Sequence, residues 1–144
     1  MSSLDPLDPK QDMPTPRTPS VPSASGHLII VLPSRRVRFG LGQVVATPGA
    51  LALLDAKLIS PLALIGRHAS GDWGDICADD RGVNETALTD GSRIMSVYRL
   101  VDAARLAAVP TEQRHRLPTV WVITEAVGDD GFRRSTTLLL PSEY

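Results

Sequence analysis

The hydrophobic pattern of this chain changes its period at Gly91. Before this glycine, apolar residues recur at the spacing of a helix face; after it they alternate, as they do on one face of a strand. Three later segments, RIMSVYRL from Arg93, VWVITEA from Val120 and STTLLLP from Ser135, are rich in β-branched and aromatic residues. Helices that precede strands predict an α+β fold, with two or three helices packed on a small, mainly antiparallel β-sheet.

The first two helices are marked by a hydroxyl residue followed by proline, in the pairs Thr47-Pro48 and Ser60-Pro61. The hydroxyl can accept a hydrogen bond from a free amide of the first turn, and proline is favoured at the first helical position. These pairs predict helices over residues 48–58 and 61–69. The first helix should turn three leucines, which recur at helical spacing, towards the core: Leu51, Leu54 and Leu58.

Three other segments carry recognisable signals. A helix is predicted over residues 79–89, because acidic residues fill its first turn and Gly91 can stop it. The segment 101–118 is predicted to hold one or two helical turns and then an exposed loop. The sequence GDDG, residues 128–131, predicts a hairpin between the last two strands.

The N-terminal part divides in two. Residues 1–25 are rich in proline and serine, so they predict a disordered tail, and residues 26–144 are predicted to form a single domain. LIIVL, residues 28–32, and GQVVAT, residues 42–47, each predict a short strand.

Composition limits the classes of function. A net charge of −1 creates no overall attraction to nucleic acid or anionic lipid. No apolar run approaches the ~18 residues of a membrane span, and there is no secretory signal pattern, so we expect a cytoplasmic protein without a membrane partner. The single cysteine, Cys77, has no histidine or basic group in a recognisable relation to it and is predicted to be buried and inert. There is no dinucleotide or phosphate-loop motif, and we expect no cofactor.

The densest group of chemically active residues is HASGDWGDI, residues 68–76. His68, Asp72 and Asp75 could share a divalent cation, although no second histidine follows at helical spacing. The alternative is structural: His68 meets the last free carbonyls of the second helix, Gly71 takes a positive φ, and Trp73 folds back on the core. We interpret the segment as a structural clamp and keep the metal site open.

Arginines beside the predicted strands form a second candidate surface. They fall near the first strand, on the strand that starts at Arg93, and before the last strand: Arg35, Arg36, Arg38, Arg93, Arg99, Arg133 and Arg134. If the fold brings them to one side of the sheet, they could contact phosphates without reading sequence. Otherwise they are solvated charges that protect strand edges.

Several motifs, ATPGAL, HASGDWG, SVYRL, WVITEA and RRSTTLLLPSEY, carry a resemblance that extends from about Gly42 to Tyr144. In them the chain resembles a family of small uncharacterised proteins encoded on bacterial plasmids and integrating elements, some of which bear a label borrowed from restriction systems. This chain departs from the family in its longer tail and in residues 101–118, where a short turn is commoner. The resemblance implies an accessory protein of a mobile element.

These observations lead to three hypotheses. In the first, the chain is a non-enzymatic accessory that binds a macromolecule, acting against a host defence or in plasmid maintenance. Its surface would combine the Trp73 turn, the acidic residues 75–80 and the C-terminal residues 141–144. In the second, it is a small metal-dependent hydrolase or nuclease that uses His68, Asp72, Asp75 and Glu125. In the third, it binds nucleic acid nonspecifically through the arginines. Its partner would be a protein, a nucleic acid or a second copy of the chain.

Overall fold

The computed structural model describes residues 36–144. This part of the chain forms eight helices and strands: β1 Gln43–Ala46, α1 Pro48–Ala56, α2 Pro61–Ala69, α3 Ala78–Asp90, β2 Ile94–Arg99, α4 Ala103–Ala108, β3 Thr119–Thr124 and β4 Ser135–Leu139. It also contains two short 3₁₀ helices, Thr111–Arg116 and Pro141–Glu143. The α+β prediction is confirmed. The predicted tail, the domain boundary at residue 26 and the strand predicted over residues 28–32 lie outside the described residues.

The four strands form one mixed sheet in the order β1-β4-β3-β2. β1 runs parallel to β4, whereas β4 with β3 and β3 with β2 are antiparallel. The turn predicted from GDDG closes the β3–β4 hairpin, where the Gly128 amide donates to the Phe132 carbonyl oxygen at 2.9 Å. β1 and β2 are the edge strands of this sheet. The edge of β2 that does not pair with β3 carries the candidate site described below.

Both hydroxyl caps form as the sequence predicts. The Thr47 hydroxyl accepts a hydrogen bond from the Ala50 amide at 3.1 Å, and the Ser60 hydroxyl accepts one from the Leu62 amide at 3.2 Å. α3 is two residues longer than predicted and ends at Gly91, whose φ is 82°.

The predicted inner face of α1 is only partly correct. Leu54 is fully buried, but Leu51 is 44% exposed and Leu58 is 92% exposed. α1 ends at Ala56, and Leu58 takes a positive φ of 58° in the turn to α2. The chain therefore leaves the helix one turn too early for Leu58 to reach the core.

Three helices cover one face of the sheet: α1 packs on β4, α2 on β3 and α3 on β2. The main core lies between these layers and contains Ala50, Leu54, Leu64, Ile65, Tyr98, Leu100, Val120, Val122 and Leu138. A smaller cluster of Trp73, Ala87 and Ile94 lies beneath α3. Trp73 thus connects the segment between α2 and α3 to the interior.

The segment 101–118 contains the helical turns predicted for it. Asp102 caps α4 by accepting a hydrogen bond from the Arg105 amide at 2.8 Å. The part predicted to be an exposed loop is instead a 3₁₀ helix, whose half-buried Arg114 folds against the end of the sheet.

Within residues 36–144, no single helix has the length and hydropathy needed to cross a membrane. α1 and α2 reach that length only as a pair, and they are bent by 106° at the break between them.

Candidate functional site

Residues 71–75, which we call the GDWGD loop, are attached to the free edge of β2. The Val97 amide donates to the Trp73 carbonyl oxygen at 3.0 Å, and the Asp75 amide donates to the Val97 carbonyl oxygen at 2.7 Å. Gly74, which pairs with Val97, has a φ of 79°, a conformation that glycine adopts without steric cost. The loop therefore covers the edge of β2 as a short extra strand would.

Trp73 anchors this loop. Its side chain is 2% exposed, and its indole N–H donates to the Glu85 carboxylate at 3.0 Å. Arg38 donates to the same carboxylate at 2.8 Å. This bond from Arg38, aided by the indole, lowers the pKa of Glu85 below its ordinary value. The predicted return of Trp73 to the core is confirmed, as is the positive φ of Gly71, 91°.

His68 lies in the interior and not at a solvated helix end. It is completely buried; its Nδ1 lies 2.6 Å from the Ser96 hydroxyl and its Nε2 lies 2.9 Å from the Thr124 hydroxyl. The prediction that His68 contacts the last free carbonyls of α2 is therefore wrong. The side chain instead joins α2 to the middle of the sheet, through β2 and β3.

The direction of each hydrogen bond around His68 follows from one carbonyl group. The Thr136 hydroxyl donates to the Leu41 carbonyl oxygen at 2.7 Å, so in its 2.7 Å contact with Thr124 it must accept. Thr124 has then used its only hydrogen and accepts from Nε2 of His68. Nδ1 of the neutral ring accepts from Ser96. With a neutral histidine, every side chain in this buried series of hydrogen bonds has its donors and acceptors paired.

This arrangement predicts a measurable dependence of stability on pH. Burial, and to a smaller extent the charge of Arg133, lower the pKa of His68 from 6.5 to about 3. Between these values the unfolded chain binds a proton that the folded chain does not, so stability falls as the pH falls. We expect the free energy of unfolding to drop by roughly 2–3 kcal/mol between about pH 7 and about pH 4.5 because of this residue alone.

Urea unfolding at several pH values checks the expectation against His68→Gln, which retains an N–H donor and does not titrate. The variant should lose stability less steeply over this pH range than the original protein. Carboxylates contribute equally to both proteins, so parallel curves would show that His68 titrates normally in the folded state.

The three candidate metal ligands do not converge. His68 is engaged with two hydroxyl groups, Asp72 with Arg67 at 2.7 Å, and Asp75 with Arg99 and Arg114, each at 2.9 Å. Across residues 36–144, no group of three histidine, cysteine or carboxylate side chains is placed to hold a metal ion.

Four arginines surround an open cleft of about 520 Å³ beside the GDWGD loop. We call it the arginine cleft; its charged lining residues are Arg67, Arg81, Arg99, Arg114, Asp72 and Asp75. Each arginine comes from a different element: α2, α3, β2 and the 3₁₀ helix Thr111–Arg116. Four positive and two negative charges leave the cleft with an excess of two positive charges.

The GDWGD loop fixes the arginines of this cleft in place. Burial disfavours the charge on Asp75, but the hydrogen bonds from Arg99 and Arg114 outweigh that effect and lower its pKa. Arg81 donates to the Gly74 carbonyl oxygen at 3.1 Å. The guanidinium of Arg67 lies 4.5 Å from the centre of the Tyr98 ring. The loop therefore serves the cleft as a scaffold.

Within residues 36–144, Arg99 lies apart from Arg133 and Arg134, so these arginines do not share one surface; Arg35 lies outside the described residues. Arg99 pairs with Thr119 at one end of β3, whereas Arg133 and Arg134 precede β4 at the other end. Arg133 is buried and donates to three backbone carbonyls, while Arg134 is exposed on the hairpin. Arg93 donates to the Tyr144 hydroxyl near the C-terminus.

Sequence reasoning missed two contacts of the site. Arg114 reaches Asp75 across 39 positions, and no local pattern links them. Arg67 stands five positions before Asp72, a spacing that could have suggested their ion pair across the helix end. Cys77, predicted to be buried, is exposed. It occupies the cap position of α3, where the chain leaves the GDWGD loop.

Comparisons with protein-family models, with curated proteins and with solved structures gave no match.

Proposed function

We propose that this chain is a non-enzymatic accessory of a bacterial mobile element, acting in the cytoplasm against a host defence or in plasmid maintenance. It captures another macromolecule through the arginine cleft. The observation that supports this most directly is the placement of four arginines from four elements around one open cleft. Guanidinium groups held in place by packing lose little freedom on binding, and they recognise carboxylates and phosphates in a defined geometry.

The alternative, a metal-dependent hydrolase or nuclease, has less support. A catalytic base must reach its substrate, and His68 is completely buried and hydrogen-bonded at both ring nitrogens. Asp72 and Asp75 are each paired with arginine. Glu125, the fourth candidate, lies on the hairpin side of β3, at the opposite end of the strand from the cleft.

Co-purification from the native host tests the proposal. Tagged full-length protein is compared with two variants that carry the same change of charge, Arg81→Glu in the cleft and Arg134→Glu on the hairpin. Arg81 is exposed and, within residues 36–144, gives one hydrogen bond, so its replacement should leave the fold intact. We expect partner retention to fall at least about tenfold for Arg81→Glu, because it places an acidic group where an anion would bind.

The hairpin variant should retain the partner as the original protein does. Equal losses in the two variants, or full retention by Arg81→Glu, would contradict a role for the cleft.

A further inference from the structure

We propose that the arginine cleft takes a short acidic segment of a protein partner, whose aspartate or glutamate side chains bind the arginines in the manner of Asp75. This inference rests on the proposed function and adds the chemistry of the partner.

Asp75 shows that two of the arginines form a carboxylate site. One of its oxygens accepts from Nε of Arg99 and the other from Nη1 of Arg114, both at 2.9 Å. Arg67 holds both oxygens of Asp72, at 2.7 and 3.3 Å. Asp75 thus binds two guanidinium groups, one at each oxygen, and Asp72 binds one guanidinium group through both oxygens. Bidentate hydrogen bonds of this second kind are among the strongest that arginine makes with carboxylates.

The arginines retain donors for a ligand. A guanidinium group has five N–H donors. In the described part of the chain, the hydrogen bonds of Arg99 use Nε and Nη1, those of Arg114 use the same two nitrogens, and Arg81 uses Nη2. With two more positive than negative charges in the cleft, these remaining donors can hold one or two carboxylates from outside.

The cleft also offers apolar contacts that suit a peptide. Val97, Val101 and Leu106 line it together with the arginines. Methylene groups of glutamate side chains and small apolar residues could pack there while the carboxylates reach the charged side. A volume of about 520 Å³ is within the usual range for a small ligand and fits a few residues of a partner.

Two observations favour a protein over a nucleic acid. Tyr98, the aromatic residue that lines the cleft, is 1% exposed and cannot stack on bases. The chain has a net charge of −1, which gives it no overall attraction to a long polyanion.

Fluorescence anisotropy of the full-length protein with two labelled probes of equal net charge tests the inference. One probe is a glutamate-rich peptide with interspersed glycine, and the other is a single-stranded oligonucleotide. We expect saturable binding of the peptide, weakened at least about tenfold by Arg81→Glu and changed less than about twofold by Arg134→Glu. Arg114→Lys keeps the charge but loses the planar fork, so it should weaken peptide binding severalfold.

Each other result contradicts the inference in a distinct way. Absence of saturable peptide binding would rule out an acidic segment as the ligand. If a partner that depends on Arg81 were still recovered from the host, the proposed function would stand with a different ligand. Tighter binding of the oligonucleotide, also lost in Arg81→Glu, would identify a nucleic acid as the ligand. Equal weakening by Arg134→Glu would place the peptide outside the cleft.

Discussion

Replacing Gly74 with alanine is expected to lower the free energy of unfolding by about 3–5 kcal/mol. A Cβ atom at this position would overlap the Val97 carbonyl oxygen and press on the Tyr98 ring. The φ of 79° adds a strain of roughly 1–2 kcal/mol. The loop can escape the overlap only by leaving the edge of β2. That movement breaks both of its backbone hydrogen bonds to Val97 and loosens Trp73.

Gly82→Ala is the matched control for this change. Gly82 lies within α3, is exposed, and an added Cβ would meet no atom within 4 Å. Alanine is the better helix former, so this variant should be more stable by about 0.5–1 kcal/mol. Urea unfolding of the three proteins measures both effects. A Gly74→Ala protein as stable as the original would show that the loop is not clamped to β2.

Replacing Arg133 with methionine is expected to cost about 3–5 kcal/mol of stability. Its guanidinium donates to the carbonyl oxygens of Ser92 at 2.7 Å, Glu125 at 3.0 Å and Ala87 at 2.9 Å. Burial lowers the pKa of Arg133, but an arginine remains charged. Methionine fills a similar volume but removes three hydrogen bonds from a charged donor, each worth about 1.5 kcal/mol. The Ala87 carbonyl keeps its bond from the Gly91 amide at 3.0 Å.

Arg134→Met, at the adjacent position, provides the comparison. Arg134 is exposed on the hairpin, so the same substitution there should change stability by less than about 0.5 kcal/mol. Thermal unfolding followed by circular dichroism compares the two. If both variants unfold at the same temperature as the original protein, Arg133 does not join α3 to the hairpin as described.

Local signals predicted the order of elements well. Proline after a hydroxyl residue marked the starts of α1 and α2, Gly91 marked the end of α3, and alternation marked β2 to β4. Each of these signals is a property of a few adjacent residues and the backbone they favour. The inner face of α1 was predicted less well, because Leu58 follows the helical spacing but lies in a turn.

The candidate site was predicted only in part, because its contacts are distant in sequence. Trp73 was predicted to fold back on the core, and it is buried, as suits a large aromatic side chain. No pattern indicated that His68 would meet Ser96 and Thr124, or that Arg114 would reach Asp75. These pairings depend on how α2 and the 3₁₀ helix are placed on the sheet.

We propose that the arginines of the cleft, and not His68, carry the function. The most direct test applies the co-purification measurement to His68→Gln and Arg81→Glu side by side, near pH 7 and at a temperature where circular dichroism shows both to be folded. We expect His68→Gln to retain the partner nearly as well as the original protein and Arg81→Glu to lose it. Loss of the partner in His68→Gln with full retention in Arg81→Glu would overturn this proposal.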